Sequence, residues 1–192
     1  MFLKEAENTS DGAETARYII DYYDDFYTEL FKTRPDLYSD ISLSCVDTDK
    51  LGEVTRCADV LFEKARDDAA SEDCGEVIRA RNATKIFGKT TTGSDYDLVD
   101  LKDLAERVGG KYSAECNDFV SAVESAVVYS KTSMDKACGM SAYFPYANRG
   151  GMTKNIEKYK GISFSDGYSN MINTVAERLT STDTSAAWRS VA

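Results

Sequence analysis

The sequence predicts an α/β chain. Two short runs have the composition of strands, ISLSCV (Ile41 to Val46) and the apolar centre of GMSAYFP (Gly139 to Pro145), and capped amphipathic helical patterns surround them. Hydrophobic residues at 42% and charged residues at 29% suit one globular domain, and 192 residues are enough to bury a core.

Asp11, with Glu14 three positions on, makes a capping-box-like start. Tyr18, Ile19, Tyr22, Tyr23, Phe26 and Leu30 then recur at helical spacing until Arg34-Pro35 ends the pattern. This aromatic stripe reads as core packing rather than as a binding surface, since any buried helix face shows that spacing. Ile41 to Val46 alternates as a strand, with Ile41, Leu43 and Cys45 on one face. Asp47, Thr48 and Asp49 supply oxygen caps for a helix whose inner stripe is Leu51, Val54, Ala58, Leu61, Phe62 and Ala65.

The acidic cluster Asp67, Asp68, Glu72 and Asp73 lacks the alternating ligands and glycine of an EF-hand loop and reads as a solvated face. The run VIRARNATKIF is ambiguous between a helix and an irregular connection, with Arg79 and Arg81 placed to pair with nearby acids. KTTTGS, from Lys89 to Ser94, is a loop by composition. Its Gly-Lys-Thr start at Gly88 fails as a phosphate loop, because Ala83 stands where the first glycine is needed.

Local signals are densest from Tyr96 to Pro145. Asp100 is placed as N-cap of a helix from Leu101 to Val108, with Val99 and Leu104 spaced for a hydrophobic staple and Gly109-Gly110 for a left-handed stop. Ser113 is expected to cap a second helix, its apolar pattern running from Ala114 to Ser130 with Cys116, Phe119, Val120, Val123 and Val127 inward. GMSAYFP follows as a buried strand closed by Pro145. Tyr146 to Asn155 reads as a long glycine-bearing loop. Ser165 caps a last helix with Tyr168, Met171, Ile172, Val175 and Leu179 on one face. One domain is expected over residues 1–180, followed by a disordered Ser/Thr-rich tail over 181–192.

A net charge of −10 without clustered Lys or Arg excludes nucleic acid as an expected partner and leaves cations or basic peptides as the complementary class. No run approaches the ~18 apolar residues of a membrane span, and MFLKEAENTSDG has no signal-peptide core. The five cysteines, Cys45, Cys57, Cys74, Cys116 and Cys138, form no CxxC pair, so free thiols are expected rather than zinc ligands or a disulfide framework. No cofactor is expected. The chain has no histidine, so a Ser-His or Cys-His catalytic pair cannot be completed within it. A thiol enzyme using Cys45 or Cys138 with an acidic partner would lack a cation to lower the thiol pKa.

Four segments, LSCVD (Leu43 to Asp47), YDLVDLKDLAE (Tyr96 to Glu106), GMSAYFP (Gly139 to Pro145) and the set Tyr159, Ile162, Phe164, Ser165 and Tyr168, together resemble the C-terminal half of the clostripain family of cysteine peptidases in order and spacing. The resemblance covers roughly Ser39 to Leu179. It implies a caspase-like fold, here the C-terminal part of an α/β/α sandwich with a mainly parallel sheet flanked by helices. It also implies, for intact members, cleavage after Arg or Lys by a Cys-His dyad.

In the family the histidine, and the nucleophile in its Asp-Ala-Cys setting, lie upstream of the matching region. No cysteine of this chain has that setting. The resemblance therefore transfers no catalytic, cofactor or metal residue, only a groove-wall segment with Tyr146, Asn148 and Arg149. The expected function is the scaffold portion of a clostripain-like endopeptidase, inactive alone, with the N-terminal catalytic half or a partner chain completing it. The alternative is a non-catalytic homologue that binds peptides or proteins. The family resemblance suggests an exported bacterial protein.

Overall fold

A computed structural model of the protein describes residues 9–37, 40–71, 74–88, 97–135, 137–146, 152–162 and 164–180. In chain order the elements are α1 (Gly12–Thr33), β1 (Ser42–Val46), α2 (Leu51–Ala70), α3 (Cys74–Ala83), β2 (Ile86–Phe87), β3 (Leu98–Asp100), α4 (Leu101–Val108), α5 (Ser113–Ala126), β4 (Val127–Thr132), β5 (Ser141–Tyr143), α6 (Met152–Lys160) and α7 (Asp166–Thr180).

The core is built on α2. Val54, Ala58, Leu61, Phe62 and Ala65 are sealed from solvent, while Leu51, expected among them, is half-buried. The Phe62 ring meets Phe119 of α5 edge-on at 5.4 Å and Tyr168 of α7 at 4.9 Å, so one side chain ties three helices together. Full burial of such a ring contributes about 1.5–3 kcal/mol. All five predicted inner positions of α7 are buried. Its N-terminus is seated on α2: Ser165 Oγ donates to Asp59 Oδ1 (2.7 Å) and accepts from Tyr168 N (3.1 Å), and Gly167 N donates to the same carboxylate oxygen (3.0 Å). A β-carbon at Gly167 would stand 2.5 Å from the Asp59 carbonyl oxygen, so glycine is what allows this approach.

The expected mixture of helices and strands is present, but the mainly parallel sheet is not what the described strands form. β1 pairs with β4, and β2, β3 and β5 form a second sheet in that order; every pairing among the described residues is antiparallel. The reason lies in the connection between β3 and β5. It contains α4 and α5 but also β4, which belongs to the other sheet, so it is not a simple helical crossover between parallel neighbours, and β5 returns against β3 with Leu98 opposite Tyr143.

Four local expectations are corrected. The aromatic stripe of α1 is not core: Ile20 is buried, whereas Ile19, Tyr22 and Phe26 are 42%, 48% and 51% exposed. The helix instead meets β4 through polar contacts. Asp21 accepts from Tyr129 Oη (2.7 Å), Lys131 reaches Asp21 and Asp24 at 3.0 and 3.2 Å, and Arg17 lies over the Tyr129 ring. Helix α5 stops at Ala126, because Val127 to Thr132 are taken by pairing with β1. Gly109 has φ −80, so α4 ends in a 3-10 turn rather than a left-handed cap; a β-carbon at Gly109 would stand 2.6 Å from Cys116 Cβ. Tyr112, not Ser113, precedes the first turn of α5, without a side-chain cap.

Two further points sharpen the reading. The ambiguous run after Cys74 resolves into α3 followed by β2, and residues 152–155 of the expected loop form the first part of α6. The predicted start of α4 holds, with Asp100 Oδ1 accepting from Asp103 N (3.0 Å) and Val99 and Leu104 both buried.

Candidate functional site

The groove-wall segment begins where β5 ends, and that exit is organised by a buried ion pair. Asp97 immediately precedes β3, and its carbonyl accepts from Phe144 N (2.7 Å), extending the β3–β5 ladder by one step. Arg81, projecting from α3, places Nη2 2.6 Å from Asp97 Oδ1 and 3.2 Å from the Phe144 carbonyl oxygen, while its Nε donates to that oxygen at 3.3 Å. Arg81 is 5% and Asp97 2% exposed. Two donors converge on one carbonyl and one carboxylate, which is what a guanidinium fork provides and an ammonium does not.

Asp97 adopts φ +56, the left-handed region that aspartate enters more readily than most side chains. Such a conformation costs about 1–3 kcal/mol and persists only where surrounding contacts impose it. The ion pair to Arg81 and the ladder bond to Phe144 are among those contacts. On the outer side of the guanidinium lies the Tyr146 ring, 5.1 Å from Arg81 Cζ to the ring centroid. Of the three predicted groove-wall residues, Tyr146 is therefore half-buried and held by Arg81. Asn148 and Arg149 lie outside the described residues, as do Glu72, Asp73, the Lys89 to Ser94 run and the 181–192 tail.

Behind this node Tyr143, Tyr159 and Tyr168 cluster with ring centroids 6.0–6.1 Å apart in successive pairs, and Tyr168 Oη donates to the Tyr143 carbonyl (3.1 Å). Burial pushes the Tyr159 phenol up to about 12 and that of Tyr168 well above its ordinary value. Both stay protonated at neutral pH, so they pack and donate rather than exchange protons.

The cysteines fall in settings that favour the neutral thiol. Cys138 N donates to Asp100 Oδ2 (2.8 Å) and Cys138 Sγ donates to the Met140 carbonyl (3.2 Å). Burial, reinforced by the Asp100 charge, pushes this thiol up to about 11. Cys57, Cys74 and Cys116 are buried and also raised, chiefly by loss of solvent. Cys45 lies half-buried in β1 opposite Tyr129. The attacking species in thiol catalysis is the thiolate, which these surroundings disfavour at the four raised positions.

An open cleft of about 920 Å³ lies beside Cys138, lined by Lys102, Asp103, Glu106, Arg107 and Glu124 among others. Four of its charged groups form two pairs: Lys102 with Glu124 at 2.5 Å and Arg107 with Asp103 at 2.9 Å. Among the described residues no group of three or more His, Cys, Asp or Glu stands close enough to hold a metal ion, and no helix is long and apolar enough to cross a membrane. The sequence placed Arg81 near an acid but could not name Asp97, since the pair depends on how β2, which follows α3, pairs with β3.

The class that this architecture defines is a mixed α/β unit with a buried ion pair at the exit of β5 and with thiols that are predominantly held neutral. The sequence model of the clostripain family matches residues 1–173, and the chain belongs to that family, a family of cysteine peptidases. No curated protein and no solved structure matches it.

Proposed function

We propose that this chain is the supporting, C-terminal part of a clostripain-like cysteine endopeptidase of caspase-like fold, with the reacting Cys and His contributed from outside these 192 residues. The observation that carries the reading is the complete absence of histidine in a chain of a Cys-His peptidase family. The raised thiols of Cys57, Cys74, Cys116 and Cys138 support it, because none of them is prepared for attack.

In this role the Arg81–Asp97 pair fixes the exit of β5, and Tyr146 begins one wall of the groove that receives a basic peptide side chain. The test is turnover of an Arg- or Lys-containing peptide substrate by the isolated chain, with and without a thiol reagent. No thiol-sensitive cleavage is expected; robust thiol-dependent cleavage contradicts the reading. A second reading, a non-catalytic homologue that binds a partner protein, is favoured by the solvent-facing aromatic stripe of α1. It differs in requiring no complementary catalytic portion.

A further inference from the structure

A charge cluster seats helix α1 on the ribbon formed by β1 and β4. Asp21 accepts from Tyr129 Oη and lies 3.0 Å from Lys131 Nζ, and Asp24 lies 3.2 Å from the same ammonium. The Arg17 guanidinium stands 4.8 Å from the centre of the Tyr129 ring. The Tyr129 hydroxyl, then the Lys131 ammonium, hold the Asp21 carboxyl below its ordinary range. The side chains of Lys131 and Asp21 are 34% and 39% exposed, so dissolved ions reach the cluster and screen it. Apolar anchoring is slight by comparison. Helix α1 fully buries one of its 22 residues, Ile20, whereas α7 buries eight of 15. Local opening draws on the segments with the least buried apolar contact, and α1 is such a segment.

The register of the ribbon defines what α1 covers. In an antiparallel pair, residues directly opposite one another place their side chains on the same face. Cys45 stands opposite Tyr129, and Leu43 opposite Lys131. Tyr129 and Lys131 are the two β4 residues that reach α1, so Cys45 and Leu43 lie on the face that the helix occupies, where Cys45 is half-buried. Ser44 lies on the other face, its hydroxyl donating to the Gly139 carbonyl (2.5 Å).

We propose that α1 is a strap fastened over Leu43 and Cys45 by the cluster of Arg17, Asp21, Asp24, Tyr129 and Lys131, and that it opens ahead of the α2–α7 core when those charges are screened or reversed. Opening uncovers the Cys45 thiol. The proposal does not depend on where the peptidase dyad resides.

The test uses the full chain and a small maleimide, with each labelled cysteine located by peptide mass mapping. Cys57, Cys74 and Cys116 are buried in the core and report global unfolding in the same sample. Raising NaCl from about 0.05 M to about 1 M shortens the screening length to about 3 Å and should speed Cys45 labelling several-fold, with the core thiols unchanged. Lys131→Glu replaces two attractions by two repulsions and should speed Cys45 labelling about tenfold. Adding Asp21→Lys to Lys131→Glu restores an opposite-charge pair and should recover part of the protection, which a change that merely damaged the fold would not allow. Cys45 labelling indifferent to salt in the unsubstituted chain overturns the proposal. So does labelling that rises only in step with the core thiols, or protection that survives Lys131→Glu. Where Lys131→Glu also frees the core thiols, the salt series on the unsubstituted chain decides.

Discussion

Arg81 Nη2 stands 2.6 Å from Asp97 Oδ1, a contact between α3 and the first residue before β3 that is almost wholly removed from water. Removing one member of such a pair strands a buried charge. Arg81→Met takes the cation away from the Asp97 carboxylate and is expected to cost about 3–5 kcal/mol, read from urea unfolding. The double variant Arg81→Met with Asp97→Asn should lose clearly less than the sum of the two single changes, since it removes both charges and keeps a residue tolerant of positive φ. Additive losses would show that the two side chains are not coupled.

Gly167 and Gly52 make a matched comparison. An added β-carbon at Gly167 meets the Asp59 backbone at 2.5 Å, so Gly167→Ala is expected to push α7 off α2 and cost about 1–3 kcal/mol. At Gly52, near the start of α2, nothing lies within 4 Å, and Gly52→Ala should be stabilising by about 0.4–1 kcal/mol. Thermal melts of the two variants test the opposite signs.

Asp100 holds two backbone donors at once, Asp103 N at the start of α4 and Cys138 N ahead of β5. Asp100→Ala removes both acceptors from a fully buried site. The expected loss exceeds the ~1 kcal/mol typical of a helix cap alone, with faster amide hydrogen exchange at Asp103 and Cys138 as its local signature.

The thiol of Cys138 gives stability an alkaline limb. Its pKa is about 11 in the folded chain against 9.0 for an unperturbed thiol, so the unfolded chain releases this proton first. Stability from this group is complete below pH 9 and is lost as pH rises toward 11, by up to about 2–3 kcal/mol over that window. Tyr159, pushed from 10.0 to about 12, extends the decline upward. Cys138→Ala should make the limb shallower between pH 9 and 11, with the raised Cys57, Cys74 and Cys116 thiols retaining part of it. An unchanged limb there would place its cause elsewhere.

The parts of the fold legible in the sequence were those set by local chemistry. Asp100 and Ser165 are helix starts because a short side-chain oxygen can reach a backbone N–H three residues on, a distance that spacing alone reveals. The inner faces of α2 and α7 were equally plain, since both are amphipathic with a single apolar stripe.

Where long-range contacts decide, local reading failed. Val127 to Ser130 continue the helical pattern of α5, and only pairing with β1 converts them to a strand. The apolar stripe of α1 is periodic, but periodicity does not say which side of a helix the rest of the chain occupies; here Tyr129 and Lys131 hold the polar side. Helix α6, MTKNIEKYK, buries only Met152 and Ile156, too few to stand out after a glycine pair. The Arg81–Asp97 node was invisible for a related reason: 16 residues of chain separate its members, and the pairing of β2, which follows α3, with β3 brings them together.

The central claim is that the cysteine-peptidase chemistry of the family is not carried by this chain. Its most direct measurement is covalent trapping: the chain is incubated at neutral pH with an arginine-based ketone that alkylates catalytic thiols, and intact mass is recorded. The account predicts no adduct beyond that formed with a matched reagent lacking the arginine side chain. Rapid stoichiometric labelling of one of Cys45, Cys57, Cys74, Cys116 or Cys138 that depends on the arginine side chain would contradict it.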